Sequence, residues 1–195
     1  MKKIALLITI MMTGNFFANM NPKGFKRFSN YYFVETGTYE GEGVKLALKA
    51  GFPVICSIEI IHEFVIKATA CFAHYPNVHI MEGDSGKILW DVIKNMDRPI
   101  TFWLDGHNSN GPGPNNTNKN TPLMEELEQI KMHPIKCHTI IIDDIRCCET
   151  IHFDYLTKEQ IINKILEINP EYKITYINGG IRGEIKDDIL VARIP

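Results

Sequence analysis

The sequence predicts an α/β fold, a doubly wound and mainly parallel sheet of about seven strands with helices on both faces. Strand-like and helix-like segments alternate along the chain from residue 30 onward, and the central strand-like segments are apolar. Continuous apolar strands are typical of parallel sheets that are covered on both faces. Because ligands bind such sheets outside the carboxyl ends of the strands, the functional residues are expected there.

The predicted strands are short β-type or apolar runs that are bounded by turn residues. Pro53 opens the second of them, and the fourth and fifth are the apolar runs expected in the middle of a covered sheet. In chain order the predicted strands are residues 31–34, 54–58, 78–81, 100–104, 139–142, 173–177 and 189–194.

The predicted helices lie between these strands and carry start signals. Thr157 is the predicted cap of the last one. Thr121 is the predicted cap of the helix that follows the polar loop, with Pro122 at its first position. Glu125 and Glu126 lie near the positive end of that helix. The other predicted helices are residues 43–50, 63–73 and 88–95, and the last one is 158–168.

Composition places the chain among ordinary globular proteins. It has 195 residues, of which 45% are hydrophobic and 23% are charged. The 21 Lys and Arg residues against 23 Asp and Glu residues give a net charge of −2, so no overall charge attracts nucleic acid or anionic lipid. The five cysteines are odd in number and lack the paired spacing of a metal site, and we assign them no chemistry.

The N-terminus resembles a secretory signal peptide. Lys2 and Lys3 precede an apolar run at residues 4–12, and the small residues Gly14 and Ala18 follow. The run is shorter than the about 20 residues of a membrane-spanning helix. The alternative is a buried N-terminal helix of a cytoplasmic protein. The sequence thus predicts a signal-peptide-like segment at residues 1–20, which implies export, followed by a single domain at residues 21–195.

Acidic residues follow five successive predicted strands. Since the carboxyl ends of parallel strands meet at one edge of a sheet, these acids are expected to lie along that edge. A single acid at a strand end is often only a cap or a solvated side chain, but the repetition favours a binding site. The polar residues at the strand ends are Glu35, Glu59, Asp84, Asp105, His107, Asp143 and Asp144.

The turn after the first strand predicts a cofactor that carries a nucleoside. It reads E-T-G-T-Y-E-G, and Gly37 and Gly41 let a ligand approach the backbone. Glu59 follows about twenty residues later, where an acid accepts hydrogen bonds from ribose hydroxyls. NAD and S-adenosylmethionine (SAM) are the two leading cofactors of this kind. The alternative is a tight turn with solvated glutamates.

Charge favours SAM over NAD. A pyrophosphate beside Glu35 would meet like charge, whereas the ammonium and sulfonium of SAM are attracted by carboxylates. The dinucleotide fingerprint G-x-G-x-x-G is also missing, because Tyr39 stands where its second glycine would be.

The chain resembles the class I SAM-dependent methyltransferases over about residues 30–195. Three features carry the resemblance: E-x-G-x-x-x-G from Glu35 to Gly41, the acid Glu59, and Gly83-Asp84-Ser85. The family has a Rossmann-like fold. The resemblance implies that the first loop holds the methionine part of SAM and that Glu59 binds its ribose. It also implies that Asp84 lies near the adenine. The implied cofactor-binding residues are Glu35, Gly37, Tyr39, Gly41, Glu59, Asp84 and Ser85. The chain departs at Tyr39 from the usual family motif, E/D-x-G-x-G-x-G.

A narrower resemblance concerns L-D-G-H at residues 104–107 and I-D-D at residues 142–144. These segments are similar to the metal-site strands of the macrocin O-methyltransferase type, which carry L-D-G-D and I-D-D. Three carboxylates in one pocket repel each other unless a cation or protonation neutralises them, and an all-oxygen set suits Mg²⁺. The predicted metal ligands are Asp105, Asp143 and Asp144. His107 is the predicted general base, with Asp105 as the second catalytic residue. The alternative is that these acids cap turns.

Taken together, these features predict an enzyme that transfers a methyl group from SAM to an oxygen of a small hydroxylated substrate, with or without assistance from Mg²⁺. Two alternatives stay open. One is a metal-dependent hydrolase in which the Asp and His residues activate water. The other is a non-catalytic nucleoside-binding module on the same fold. The sequence indicates no nucleic-acid partner and no oligomeric state.

Overall fold

A computed structural model of the chain describes residues 22–108, 119–180 and 183–195, and the strands within these ranges form one sheet. The signal-peptide-like segment predicted at residues 1–20 lies outside the described residues, and so does most of the polar loop. The strands are β1 (Tyr32–Thr36), β2 (Val54–Glu59), β3 (Val78–Glu82), β4 (Ile100–Leu104), β5 (Thr139–Ile142), β6 (Lys173–Gly179) and β7 (Ile185–Arg193).

Helices separate most of these strands. None of the described helices is long and apolar enough to cross a membrane. They are α1 (Pro22–Arg27), α2 (Glu42–Ala50), α3 (His62–Phe72), α4 (Ser85–Ile93), α5 (Leu123–Met132) and α6 (Lys158–Ile168), and two 3₁₀ turns follow β5 at Ile145–Cys147 and Ile151–Phe153.

The sheet has the strand order β3-β2-β1-β4-β5-β7-β6. The first five strands along the chain pair in parallel, and β7 runs antiparallel to both β5 and β6. The mainly parallel α/β fold predicted from the sequence is therefore confirmed. The order reverses between β1 and β4, and the crevice at such a reversal is where open α/β sheets bind ligands.

Helices cover both faces of the sheet, as predicted. Alternate side chains of each central strand point to opposite faces. Phe33 and Ile55 belong to a core cluster that includes residues of α1, α2 and α3. Val34 and Cys56 belong to a second cluster with α4, α5 and α6. On the first face the ring of Phe25 packs 4.9 Å from that of Trp103.

Two helix starts differ from the prediction, and one agrees with it. Helix α4 begins at Ser85, three residues earlier than predicted, because the carboxylate of Asp84 accepts a hydrogen bond from Gly86 N at 3.0 Å. Helix α5 begins at Leu123, so Pro122 occupies the cap position predicted for Thr121. Thr157 caps α6 as predicted and forms a capping box with Gln160.

Candidate functional site

Glu35 lies within β1 and is 2% exposed. Its Oε2 accepts a hydrogen bond of 2.5 Å from Ser57 Oγ, and the Ser57 hydroxyl also lies 2.6 Å from Thr38 Oγ1. Burial raises the pKa of Glu35 to about 8, and the charges of Asp105 and Glu59 add to the rise. Glu35 therefore holds a proton at neutral pH in the ligand-free protein. This differs from the anionic Glu35 that the sequence predicts.

The loop after β1 follows a left-handed path at the residue that departs from the family motif. Tyr39 has φ +46°, a conformation that usually belongs to glycine. Its backbone N donates a 2.7 Å hydrogen bond to Glu59 Oε2, and its ring packs 4.6 Å from that of Phe64. At Gly37, with φ +83°, a β-carbon would stand 2.4 Å from the carbonyl oxygen of Asp105. These contacts hold the loop against β2 and β4.

Glu59 ends β2 and is buried. Its Oε2 accepts from Tyr39 N, and its Oε1 accepts from Ile61 N at 2.8 Å. Each carboxylate oxygen has two lone pairs, so both retain the capacity to accept from a further donor such as a ribose hydroxyl. Glu59 thus fixes the loop and still has acceptor capacity for a ligand.

The first turn of α2 covers Glu35. Gly41 precedes this helix with φ +78°, and a β-carbon there would stand 2.7 Å from the ring of Phe72. A β-carbon on Gly43 would stand 1.7 Å from Glu35 Oε1. The backbone of α2 therefore approaches both the carboxyl group and α3 as closely as only glycine allows.

Asp84 and Ser85 are engaged with protein groups at the start of α4. In addition to capping this helix, Asp84 pairs with Lys87 at 2.9 Å. Ser85 Oγ donates a 2.6 Å hydrogen bond to Glu126 Oε1. Burial raises the pKa of Glu126 to about 7. The sequence predicts Glu126 only as an acid near a helix start. Its contact with Ser85 was not predicted.

Asp105 links the acids of the edge. Its charge raises the pKa of carboxyl groups that belong to three other elements: Glu35 of β1, Glu126 of α5 and Asp143 after β5. The charge of Glu59 also raises the pKa of Glu35. The charge of Asp84 raises the pKa of Glu126. Pairwise charge interactions thus connect the acids predicted at the ends of the five parallel strands.

His107 lies between two carboxylates, and its side chain is 5% exposed. Its Nδ1 is 3.3 Å from Asp105 Oδ1, its Nε2 is 3.2 Å from Asp144 Oδ2, and its ring packs 5.2 Å from that of Phe153. Burial lowers the pKa of His107, but the contacts with Asp105 and Asp144 outweigh burial and raise it well above its ordinary value.

Arg146, which the sequence does not mark as a site residue, binds one acid after β5 and one acid of β7. Arg146 donates from its guanidinium to Asp144 Oδ1 at 2.5 Å and also to Asp188 of β7. Asp143 is 1% exposed, and its Oδ1 accepts from Asp144 N at 2.8 Å. Its Oδ2 is buried without a hydrogen-bond partner among the described residues, and burial raises the pKa of Asp143 well above its usual value.

The described geometry does not fit the predicted Mg²⁺ site. Two groups bring three potential ligand atoms within 4.8 Å of one another, and both depend on Asp144. Both oxygens of Asp144 already face partners, Arg146 at Oδ1 and His107 at Oδ2. The predicted set also needs Asp105, but the ring of His107 lies between Asp105 and Asp144. The two groups are His107 with Asp144 and Cys147, and Asp143 with Asp144 and Asp188.

No family model and no curated protein matches the chain, but solved structures do. An O-methyltransferase from Bacillus cereus in complex with SAH is 13% identical, with 89% of this chain and 78% of that one covered and a TM-score of 0.59. The O-methyltransferase TomG from Streptomyces achromogenes in complex with SAM is 14% identical, with 89% and 77% covered and a TM-score of 0.59. An rRNA methylase from Streptococcus thermophilus is 10% identical, with 89% and 93% covered and a TM-score of 0.56.

At this level of identity the similarity defines the fold. The chain has the Rossmann-like fold of these methyltransferases, with a mixed sheet of seven strands in the described residues.

Proposed function

We propose that the chain is a SAM-dependent methyltransferase that transfers the methyl group to an oxygen of a small hydroxylated molecule. The observation that carries the proposal is the pair Glu35 and Glu59, near the carboxyl ends of the neighbouring strands β1 and β2. The loop through Tyr39 joins them, because its backbone binds Glu59 and Thr38 contacts the serine that binds Glu35. Two structures of the same fold are complexes with SAM or SAH.

SAM offers the groups that this edge would recognise. Glu59 accepts from the ribose hydroxyls, and the loop from Gly37 to Gly41 approaches the methionine part. The ammonium group of SAM stabilises the ionised form of Glu35, so binding releases the proton that Glu35 holds. Asp84, before α4, stays the predicted adenine-side residue, and Ser85 stays a predicted cofactor-binding residue.

Methyl transfer to oxygen requires alignment and the loss of one proton. The acceptor oxygen attacks the methyl carbon in line with the sulfur, the carbon–sulfur bond breaks with its electron pair going to sulfur, and the hydroxyl proton leaves to a base. His107 with Asp105 is the predicted base at the end of β4. Because the pKa of His107 is raised, it serves as a base only in the fraction of molecules that have lost its proton, so a role as base implies activity that rises with pH.

The charge of the site favours one class of methyl acceptor. A small molecule is favoured over a nucleic acid because the edge is lined with carboxyl groups and the net charge of the chain is −2, which would repel a polyanion. The contacts of Asp144 with Arg146 and His107 do not favour assistance by Mg²⁺. The metal-dependent hydrolase has less support, because its water would need the same occupied Asp144.

Calorimetry on the full chain with SAM and SAH tests the proposal. We expect binding by the unmutated protein and a loss of at least about tenfold in affinity, equal to 1.4 kcal/mol, in Glu59→Gln, because a side-chain amide carries one acceptor oxygen where the carboxylate has two. Glu82→Gln is the matched control, because Glu82 ends the neighbouring strand β3 and its side chain is 49% exposed. Absence of binding by the unmutated protein, or equal losses in both variants, would contradict the proposal. Thermal unfolding of both variants checks that they fold.

A further inference from the structure

We infer that Arg146 is the built-in counter-ion of Asp144 and Asp188, so that this buried pair of acids needs no divalent metal ion. Arg146 is a positioning residue for this pair, which forms an acidic cluster with Asp143. The inference does not rest on the proposed methyl transfer. It starts from the mismatch between the predicted Mg²⁺ site and the bonds that the acids already make.

The backbone brings Arg146 back onto the cluster. Asp144 has φ +56°, a left-handed conformation that turns the chain directly after β5. Arg146 follows in a 3₁₀ turn, where its backbone N donates to Asp188 Oδ1 at 3.3 Å and its guanidinium binds Asp144 and Asp188. One residue therefore joins the end of β5 to the antiparallel strand β7.

The neighbouring strand leaves room for this arrangement. Asp188 is buried, and a β-carbon on Gly179 of β6 would stand 2.5 Å from Asp188 Oδ2. Any other residue at position 179 would displace the carboxylate that Arg146 binds. The pairing of β6 with β7 shifts register between Ile177 and Gly179. Strands β6 and β7 thus fix the position of the Asp188 carboxylate in the Arg146–Asp188 ion pair, on the side that faces away from β5.

Buried carboxylates need compensation, and Arg146 supplies it permanently. Removing one partner from a buried ion pair is strongly destabilising, because the other charge is left uncompensated. A guanidinium stays charged throughout the physiological pH range and matches carboxylate oxygens with several donors. Compensation by Arg146 is therefore independent of the supply of metal.

A magnesium ion would compete with Arg146 for the same atoms. Mg²⁺ demands near-octahedral oxygen ligands at short distance. Both described groups that could hold an ion depend on Asp144, whose oxygens face Arg146 and His107. An ion entering either group has to displace one of these two side chains. Removal of the guanidinium should therefore create a metal site that the unmutated protein lacks.

Thermal unfolding of the full chain with EDTA or about 10 mM Mg²⁺, a concentration above the millimolar range of weak protein sites, tests this inference. We expect no difference between the two conditions for the unmutated protein. Arg146→Met should unfold at a lower temperature in EDTA and recover part of the loss in Mg²⁺. Arg98→Met is the control, because Arg98 is exposed beside Asp97, and it should respond to Mg²⁺ no more than the unmutated protein does.

Arg146→Lys keeps a positive charge beside the acids and should stay insensitive to Mg²⁺, which provides a readout if Arg146→Met does not fold. Two results would overturn the inference. One is a Mg²⁺-dependent stabilisation of the unmutated protein that Asp144→Asn abolishes. The other is an Arg146→Met variant as stable in EDTA as the unmutated protein.

Discussion

Gly43 lies directly over the carboxyl group of Glu35, so close that a β-carbon at position 43 would stand 1.7 Å from Glu35 Oε1. Gly43 is the second residue of α2, and Glu35 lies in the strand that precedes this helix. The helix can start at this place only because residue 43 has no side chain. The pair therefore fixes both the burial of Glu35 and the course of the loop that links β1 to α2.

Gly43→Ala should destabilise the protein, against the usual trend. Alanine in place of a helical glycine ordinarily stabilises by about 1 kcal/mol, but overpacking of a buried site costs about 1–3 kcal/mol. We expect the second effect to win, with a lower free energy of unfolding in urea. In a Glu35→Ala background the same substitution should cost less or stabilise. An equal cost in both backgrounds would show that the carboxyl group is not what fills the space.

Gly37→Ala should cost more than Gly51→Ala. The two glycines have nearly the same left-handed backbone, with φ +83° and +85°, so the strain of about 1 kcal/mol is shared. A β-carbon on Gly51 has nothing within 4 Å, whereas one on Gly37 would stand 2.4 Å from the Asp105 carbonyl oxygen. Gly37→Ala should also weaken SAH binding, while Gly51→Ala leaves it unchanged. Urea unfolding measures the change in stability, and calorimetry measures the change in SAH binding. Equal results for the two variants would contradict the close approach of position 37 to the Asp105 carbonyl oxygen.

SAM binding should release a proton from Glu35 near neutral pH. The pKa of Glu35 is raised to about 8, so the ligand-free protein holds this proton, and an ammonium group beside it favours the ionised form. Affinity should rise from about pH 6 to about pH 7.5, where the amino group of the ligand is still charged. Calorimetry in buffers of different ionisation enthalpy counts the proton. Glu35→Gln should bind with no proton release, and release that persists in this variant would assign the proton to another group.

Two buried histidines lie at the amino ends of the parallel strands, opposite the acidic edge. They form a chain of hydrogen bonds in which the donor and the acceptor of each bond are defined. His133 Nε2 lies 3.1 Å from the carbonyl oxygen of Met96, so this nitrogen carries its hydrogen. His133 Nδ1 then accepts from Ile135 N and from His138 Nε2, and His138 Nδ1 accepts from Ile100 N at 3.1 Å. The His138 ring cannot take a second proton without placing two donors face to face at Nδ1 and Ile100 N.

The free energy of unfolding should therefore fall in acid. Burial and the nearby charge of Lys136 lower the pKa of His138 to about 3. Because the folded pKa lies below the unfolded value of about 6.5, this stability is present above pH 6.5 and is lost as the pH falls toward 3, with a slope of up to about 1.4 kcal/mol per pH unit. The free energy of unfolding, measured in urea across this pH range, should fall less steeply toward low pH in His138→Asn than in His79→Asn. The second substitution is the control at an exposed site. Identical slopes would contradict the prediction.

The sequence predicts the fold and the acidic edge well because both depend on local patterns. Apolar strands alternating with helices define a parallel sheet, and each acid stands next to the strand that carries it. Helix α1 was not predicted, because its six residues carry no periodic pattern and its burial comes from tertiary contacts with the sheet and with α2.

The partners of the acids could not be predicted, because they come together only in the tertiary structure. Asp188 follows Arg146 by 42 positions and reaches it because β7 turns back beside β5. Glu126 meets Ser85 through the packing of α5 on α4. Burial likewise decides the charge of Glu35, which the sequence alone predicts to be an anion.

SAM binding at the carboxyl edge of β1 and β2 is tested most directly by nuclear magnetic resonance on the nitrogen-labelled full chain during titration with SAH. We expect chemical-shift changes at the amides of Gly37, Tyr39 and Ile61, which surround Glu35 and Glu59, and no change at the amide of Ile100 at the opposite edge. Absence of any change at saturating SAH, or changes confined to the opposite edge, would contradict the proposed function.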